Sequence, residues 1–365
     1  MSETFNLPET HPDFKLNQMH LDNEALAAVA YSYIKEGEPY EGEIGNFLLD
    51  WLNEKDYVYV QTSGSTGKPK KIRLRKEHMI NSALSTGRFF DLPQQTTALL
   101  CLPVKYIAGK MMLIRAMVLG WHLDVVPPKA NPLDQVFKRY DFSAMTPFQL
   151  DNSLSRLHLV QKLIVGGGAV SNNLKKLVQG IRTEVYETYG MTETITHVAA
   201  RRINDEKAQA DPIPFHVLPK IKIATDERQC LVIQAPKVAQ EEIVTNDVVE
   251  ILGKKTFLWK GRIDNVINSG GVKLYPEEIE HKLSNVIAHR FFVGAIPDDA
   301  LGEMLVLMVE SPFSEESLRN LEEEIRKENL LEPFEVPKKI YMIEKFEETP
   351  NGKIHRINTL KSQIS

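Results

Sequence analysis

Residues 61–71 read Gln-Thr-Ser-Gly-Ser-Thr-Gly-Lys-Pro-Lys-Lys and directly follow the apolar alternation Tyr57-Val58-Tyr59-Val60. Gly64 and Gly67 let the backbone turn sharply and expose its N–H groups. Thr62, Ser63, Ser65 and Thr66 add hydroxyl donors, and Lys68, Lys70 and Lys71 add positive charge. Such a loop at a strand end suits a polyphosphate; the competing reading is a Gly/Ser surface turn with a basic flank. Two common phosphate motifs do not fit. A Walker A loop needs four residues between its glycines and Ser or Thr after its lysine. Here Ser65 and Thr66 alone separate the glycines, and Pro69 follows Lys68. A dinucleotide fingerprint, G-x-G-x-x-G, fails at Gly166-Gly167-Gly168, where Ser171 replaces the last glycine.

Further motifs follow in order: Tyr189-Gly190-Met191-Thr192-Glu193, then Gly261-Arg262-Ile263-Asp264 running on through Gly270-Gly271 to Glu280, then Pro350-Asn351-Gly352-Lys353-Ile354. With the loop they resemble the signature elements of the adenylate-forming acyl- and aryl-CoA ligase superfamily, spread over residues 61–354. The resemblance implies a reaction with ATP, Mg²⁺ and CoA, in which a carboxylate attacks the α-phosphorus. Two anions must meet, so the site must supply positive charge and oriented donors.

By this resemblance Thr62, Ser63, Gly64, Ser65, Thr66, Gly67 and Lys70 cradle the β- and γ-phosphates. Thr192 contacts the α-phosphate and Glu193 holds Mg²⁺, a hard cation suited to a carboxylate; the bland alternative makes Glu193 a helix N-terminal acid. Tyr189 and Gly190 lie by the adenine, with Gly167 and Gly168 approaching the base. Asp247 accepts the ribose hydroxyls, although Asn246 stands where the family usually has glycine. Arg262 joins the ribose or phosphate contacts. Lys353 reaches the bridging oxygen and the attacking carboxylate. Asp264 matches a hinge whose rotation withdraws the lysine and admits CoA, with Gly270 and Gly271 near the pantetheine channel.

For the acid, Leu102-Pro103-Val104-Lys105-Tyr106-Ile107-Ala108-Gly109 resembles an acyl-pocket element in which Tyr106 replaces a histidine and Gly109 is retained. Arg115 follows in an otherwise apolar helix and demands an anion or solvent. Its partner is either a second carboxylate on the substrate or an acid of the protein. With 60 residues ahead of the loop, the chain resembles a short o-succinylbenzoate–CoA ligase of menaquinone biosynthesis. Two other readings stay open: an adenylation enzyme that loads a carrier protein, and a non-catalytic nucleotide-binding protein on a ligase fold.

The elements must place these residues. Phe47, Leu48, Trp51 and Leu52 mark one face of a helix. Strands are expected at 58–60, 72–74, 98–103, 125–126, 142–145 and 163–165, with helices over 78–90 and 109–119. This alternation predicts an α/β domain with a largely parallel sheet. Short alternating strands at 221–224, 230–233 and 256–259 suggest a small β-rich subdomain. Beyond it Pro276 opens a helix burying Ile279 and Leu283. Strands are expected at 291–295 and 304–309, and Ser314 caps a helix bearing Leu318, Leu321 and Ile325. The expected organisation is a large domain over 1–261 and a mobile α+β domain over 262–365.

Composition agrees. With 42% hydrophobic and 25% charged residues the 365-residue chain reads as globular. A net charge of −5 argues against a general nucleic-acid binder. The six basic residues Lys68, Lys70, Lys71, Arg73, Arg75 and Lys76 read as a solvated strand or a triphosphate funnel. Cys101 and Cys230 offer no metal or redox spacing, and Cys101 lies in an apolar run that predicts a buried thiol. The N-terminus lacks a signal-like apolar run, and the apolar stretch 111–121 is too short to span a bilayer. No membrane insertion and a reducing cytoplasm are expected.

Overall fold

The computed structural model of the chain describes residues 9–61, 71–205, 212–312, 314–327, 330–348 and 354–364. It divides into two compact units: Met1–Ala224 with Val232–Ile243 and Leu252–Phe257, and Thr225–Leu231 with Val244–Ile251 and Leu258–Ser365.

In the first unit, β1 (Lys15–Leu16), β2 (Met19–His20), α1 (Asn23–Glu36) and α2 (Pro39–Leu52) lead to a separate hairpin of β3 (Tyr57–Gln61) and β4 (Lys71–Arg75). Then come α3 (Lys76–Phe89), β5 (Thr97–Leu100), α4 (Ile107–Leu119), β6 (His122–Val125), β7 (Tyr140–Met145) and α5 (Pro147–Ser153). The series continues with β8 (Val160–Val165), α6 (Asn172–Leu177), β9 (Glu184–Gly190), β10 (His197–Arg202) and β11 (Phe215–Val217). Within this unit the sheet order is β2-β1-β6-β5-β7-β8-β9-β10-β11. The six strands from β1 to β9 in that order are parallel, and β10 and β11 are antiparallel additions.

Parallel strands need crossovers, which α4, α5 and α6 supply. Buried on both faces, such strands read as continuous apolar runs; Leu163, Ile164 and Val165 are all buried. The helices start where their caps dictate. Thr146 Oγ1 accepts from Gln149 N at 3.2 Å, with Pro147 in the first turn of α5. Ser171, the residue that spoils the dinucleotide fingerprint, accepts from Leu174 N at 3.2 Å and caps α6. In α2 the expected face is buried at Phe47, Leu48 and Trp51. The strand expected over 98–103 stops at Leu100, because the chain turns where Tyr106 N donates to Pro103 O at 3.2 Å.

Strands β12 (Lys222–Thr225), β13 (Cys230–Gln234), β14 (Ile243–Gly253) and β15 (Thr256–Arg262) contribute residues to both units. The alternation expected at 230–233 is absent: Cys230, Leu231, Val232 and Ile233 are all buried. The eleven-residue β14 was not expected, because Thr245-Asn246-Asp247 interrupts its apolar pattern.

The second unit continues with β16 (Ile267–Ser269), β17 (Val272–Leu274), α7 (Pro276–Leu283), β18 (Phe291–Asp298), β19 (Gly302–Glu310), α8 (Glu315–Lys327), β20 (Lys339–Ile343) and α9 (Arg356–Ile364). Its sheet runs β17-β16-β19-β18, with β20 parallel to β19. Ile279 and Leu283 of α7 pack with Leu307, Leu321 and Ile325 in one core. Ser314 Oγ accepts from Ser317 N at 3.3 Å ahead of α8. Among the described residues no helix is long and apolar enough to cross a membrane.

Candidate active site

Register fixes where the first unit can bind a ligand. Met145 pairs with Val165 and Val165 with Glu187, so β7, β8 and β9 end along one edge of the sheet. Ligands of parallel α/β sheets bind at the carboxyl ends of strands. Gly166-Gly167-Gly168 leaves that edge after β8. Gly167 has φ +84° with open space around it, and a Cβ on Gly166 would lie 2.6 Å from Thr188 Oγ1. The backbone there is bare because turn and packing both require glycine. Tyr189, next to last in β9, is half-buried, its ring wedged against Phe215 at 5.9 Å and Phe257 at 5.4 Å. This backing makes it a fixed platform. A Cβ on Gly190 would lie 2.2 Å from Thr196 O.

Thr192 and Glu193 form a short 3-10 turn, Thr192–Thr194. Glu193 stands in the first turn of this 3-10 helix, as the helix-acid alternative expects, and no α-helix continues from it. Its side chain is exposed and hydrogen-bonds to none of the described residues. Among the described residues no group of three or more His, Cys, Asp or Glu could hold a metal unaided. A single exposed carboxylate suits Mg²⁺, which keeps waters and takes the substrate's phosphates as ligands.

Thr62, Ser63, Gly64, Ser65, Thr66, Gly67, Lys70 and Lys353 lie outside the described residues. The flanks of the loop are described. Tyr57–Gln61 and Lys71–Arg75 pair from Tyr57↔Arg75 to Gln61↔Lys71. The basic run is not uniformly solvated as expected. Arg73 covers the Tyr57 ring at 4.0 Å and Lys71 the Tyr59 ring at 4.4 Å. Lys76 is fully buried and donates to Asn53 O at 2.6 Å.

The acid-pocket candidates gather around α4. A Cβ on Gly109 would lie 2.4 Å from Pro103 O, so only glycine lets α4 start against that turn. Tyr106 is the N-cap residue and is exposed. Arg115 is 2% exposed. Its Nε donates to Thr86 Oγ1 at 3.3 Å, Nη2 to Thr196 Oγ1 at 3.3 Å, and Nη1 to Met112 Sδ at 3.6 Å. No carboxylate among the described residues pairs with it, so the ion pair with a protein acid is not found. Burial lowers its pKa to about 9. Burial, then the Arg115 charge, holds His197 well below the usual imidazole range and therefore neutral. His197 Nε2 lies 3.4 Å from Thr86 Oγ1. A buried guanidinium whose described partners are all neutral lacks the compensating charge that burial normally demands. Thr86, Thr196 and His197 were not singled out from the sequence, since only the fold brings them to Arg115. Cys101 is the buried thiol expected, pushed up to about 12 by burial.

The remaining candidates lie in the second unit, where Asp247, Arg262 and Asp264 come together. Asp247 is 8% exposed and accepts from Trp259 Nε1 at 3.2 Å. Arg262 Nε lies 3.8 Å from Asp247, and its Nη2 lies 3.0 Å from Asp264. Asn246, the departure from the family pattern, accepts from Arg228 at 3.2 Å and donates to Asp264 at 3.4 Å. Gly270 and Gly271, at φ +58° and +82°, close the two-residue turn between β16 and β17. Such a turn demands positive φ at both positions, so hairpin geometry alone accounts for the pair. Two contacts bracket residues 349–353: the bridge between Glu348 and Ile354, and His355 N to Glu347 O at 2.7 Å. Arg356 then pairs with Glu280 at 2.8 Å, a contact with no local signal in the sequence.

Residues 15–234 match the family model described as AMP-binding enzyme. A 2-succinylbenzoate–CoA ligase of Listeria monocytogenes is 25% identical over 375 residues, covering 94% of this chain and 77% of the relative. The 2-succinylbenzoate–CoA ligase of Staphylococcus epidermidis is 25% identical over 323 residues, covering 81% and 67%. Among solved structures, an acyl-CoA synthetase (AMP-forming)/AMP-acid ligase II-like protein from Dyadobacter fermentans is 36% identical, with a TM-score of 0.61 and coverage of 92% of this chain and 98% of that one. The O-succinylbenzoate coenzyme A synthetase of Bacillus subtilis, solved with ATP and magnesium, shares the fold with a TM-score of 0.68 at 18% identity, covering 83% and 69%. The family match spans more than half of the chain, and the chain belongs to the AMP-binding enzymes.

Proposed function

We propose that this chain is an AMP-forming carboxylic acid–CoA ligase whose acid is o-succinylbenzoate. The observation that carries the choice of acid is Arg115, a buried guanidinium whose partners among the described residues are all neutral. A diacid has one carboxylate to activate and a second to neutralise that charge. The names of the curated relatives support the same reading.

In this scheme a carboxylate oxygen attacks the α-phosphorus of ATP, and the bond to pyrophosphate breaks. The thiol of CoA then attacks the acyl carbon, loses its proton and releases AMP. Tyr189, Gly167 and Gly168 receive the adenine, Asp247 and Arg262 the ribose, and Thr192 the α-phosphate. The loop 62–67 and Lys70 hold the outer phosphates, and Lys353 steadies the bridging oxygen. Glu193 would hold Mg²⁺, which supplies charge shielding to the phosphates when bound. The large domain spans 1–261, the mobile domain 262–365 with its hinge at Asp264, and Gly270-Gly271 borders the CoA channel. The buried free thiols Cys101 and Cys230 suit a reducing cytoplasm.

The test is a product analysis with ATP, o-succinylbenzoate and CoA as the sole thiol. Stoichiometric AMP and the CoA thioester, identified by mass, are expected. Acyl-AMP without thioester would move the reading to carrier-protein loading, and no AMP with any acid would overturn it.

A further inference from the structure

Between Glu193 and His197 the chain makes a turn that its own residue type resists. Ile195 sits at φ +68° and ψ −61° with its side chain buried. Thr196 N donates to Thr194 O at 2.8 Å. This bond with positive φ is the rarer, strained form of the γ-turn, and a β-branched residue there is an outlier. Glycine would adopt it freely.

Strain of this kind persists only where the surroundings over-determine it, and it clusters at functional positions. Here Ile195 N donates to Thr192 O at 3.0 Å, and Thr194 Oγ1 accepts from Met191 N at 3.0 Å. The Thr196 carbonyl folds down onto Gly190, where no Cβ would fit. On one side of the turn stand Thr192 and Glu193. On the other, Thr196 Oγ1 accepts from Arg115 Nη2 at 3.3 Å and lies 3.2 Å from Ser82 Oγ.

We propose that Ile195 is a positioning residue: its γ-turn holds the Thr196 hydroxyl on Arg115 and fixes the pocket for the acid's second carboxylate against the Thr192–Glu193 element. This rests on the assignment of Arg115 to that carboxylate. A relaxed turn would let Thr196 swing away and leave the guanidinium free to reorient. The distance between the acid's anchor and its reacting carboxylate would then no longer be set.

Two variants separate geometry from packing. Ile195→Gly and Ile195→Ala both delete the buried side chain, but only glycine keeps positive φ without strain. The expected result is that Ile195→Ala raises KM for o-succinylbenzoate by about tenfold or more, the scale of one hydrogen bond to a charged group. KM for benzoate should stay near wild type, and Ile195→Gly should retain the diacid preference. Thr196→Val should reproduce the alanine signature, and the double variant Ile195→Ala/Thr196→Val should be no worse than Thr196→Val alone. A parallel fall in kcat for both acids with unchanged KM, or additive effects in the double variant, would overturn the proposal. Arg115→Met is the control. If it abolishes the diacid preference while Ile195→Ala does not, the role of Ile195 alone falls. If Arg115→Met leaves that preference intact, the carboxylate reading falls and this proposal with it.

Discussion

Arg115 costs the folded chain something, because a buried cation with no carboxylate partner among the described residues forfeits its hydration for weaker neutral contacts. Replacing a buried charge with an apolar side chain of similar volume is often neutral or stabilising. Arg115→Met should therefore unfold at the same temperature as the wild type or higher. Its KM for o-succinylbenzoate should rise by roughly a hundredfold, while benzoate is affected far less. Stability and function would move in opposite directions, as expected of a site kept for its ligand. Thermal unfolding and acid kinetics on one preparation check this; a destabilised variant that loses both acids in parallel would point to a structural role. Arg115 was legible in the sequence because charge in an apolar helix is conspicuous. Its partners were not. Thr86 is on α3, and Thr196 and His197 lie at the start of β10, all carrying side chains too common to signal convergence.

Among the elements, Lys76 joins the end of α2 to the start of α3. Its ammonium donates to Asn53 O at 2.6 Å and to Asn53 Oδ1 at 3.2 Å, satisfying carbonyl groups at the helix C-terminus. Burial lowers its pKa from 10.5 to about 8. Between those values the unfolded chain binds more protons than the folded one, so this group makes stability rise as pH climbs from about 8 to 10.5. Urea midpoints at pH 8, 9 and 10 should show that rise in the wild type relative to Lys76→Met; identical slopes would contradict it. In the sequence Lys76 was one more basic residue of a run, and nothing local told it from Arg73. The parallel strands were legible because burial on both faces leaves continuous apolar runs, as at Leu163-Ile164-Val165. Strand β14 was not, since Asp247 finds its partner in Trp259 on another strand. Gly270-Gly271 was legible as a glycine pair, but its backbone reason appears only in the turn geometry.

For the whole molecule, the proposed scheme uses Lys353 in adenylate formation and not in thioester formation. Lys353→Ala should reduce adenylation by about 10²-fold or more, the scale of losing one transition-state donor, yet convert pre-formed acyl-AMP and CoA to thioester at near wild-type rate. Equal loss in both half-reactions would remove the two-state hinge. The order of motifs along the chain was legible because each carries unusual residues at fixed spacing. The acid was less so, because the residues proposed to meet it come from α3, α4 and the strained turn at Ile195.

The most direct measurement is ATP–pyrophosphate exchange across a panel of acids in the absence of CoA. Mg²⁺-dependent exchange is expected to be fastest with o-succinylbenzoate, weak with benzoate, and lost with Lys353→Ala. Exchange that is fastest with an acid lacking a second carboxylate would contradict the assignment of Arg115, and no exchange with any acid would contradict the ligase itself.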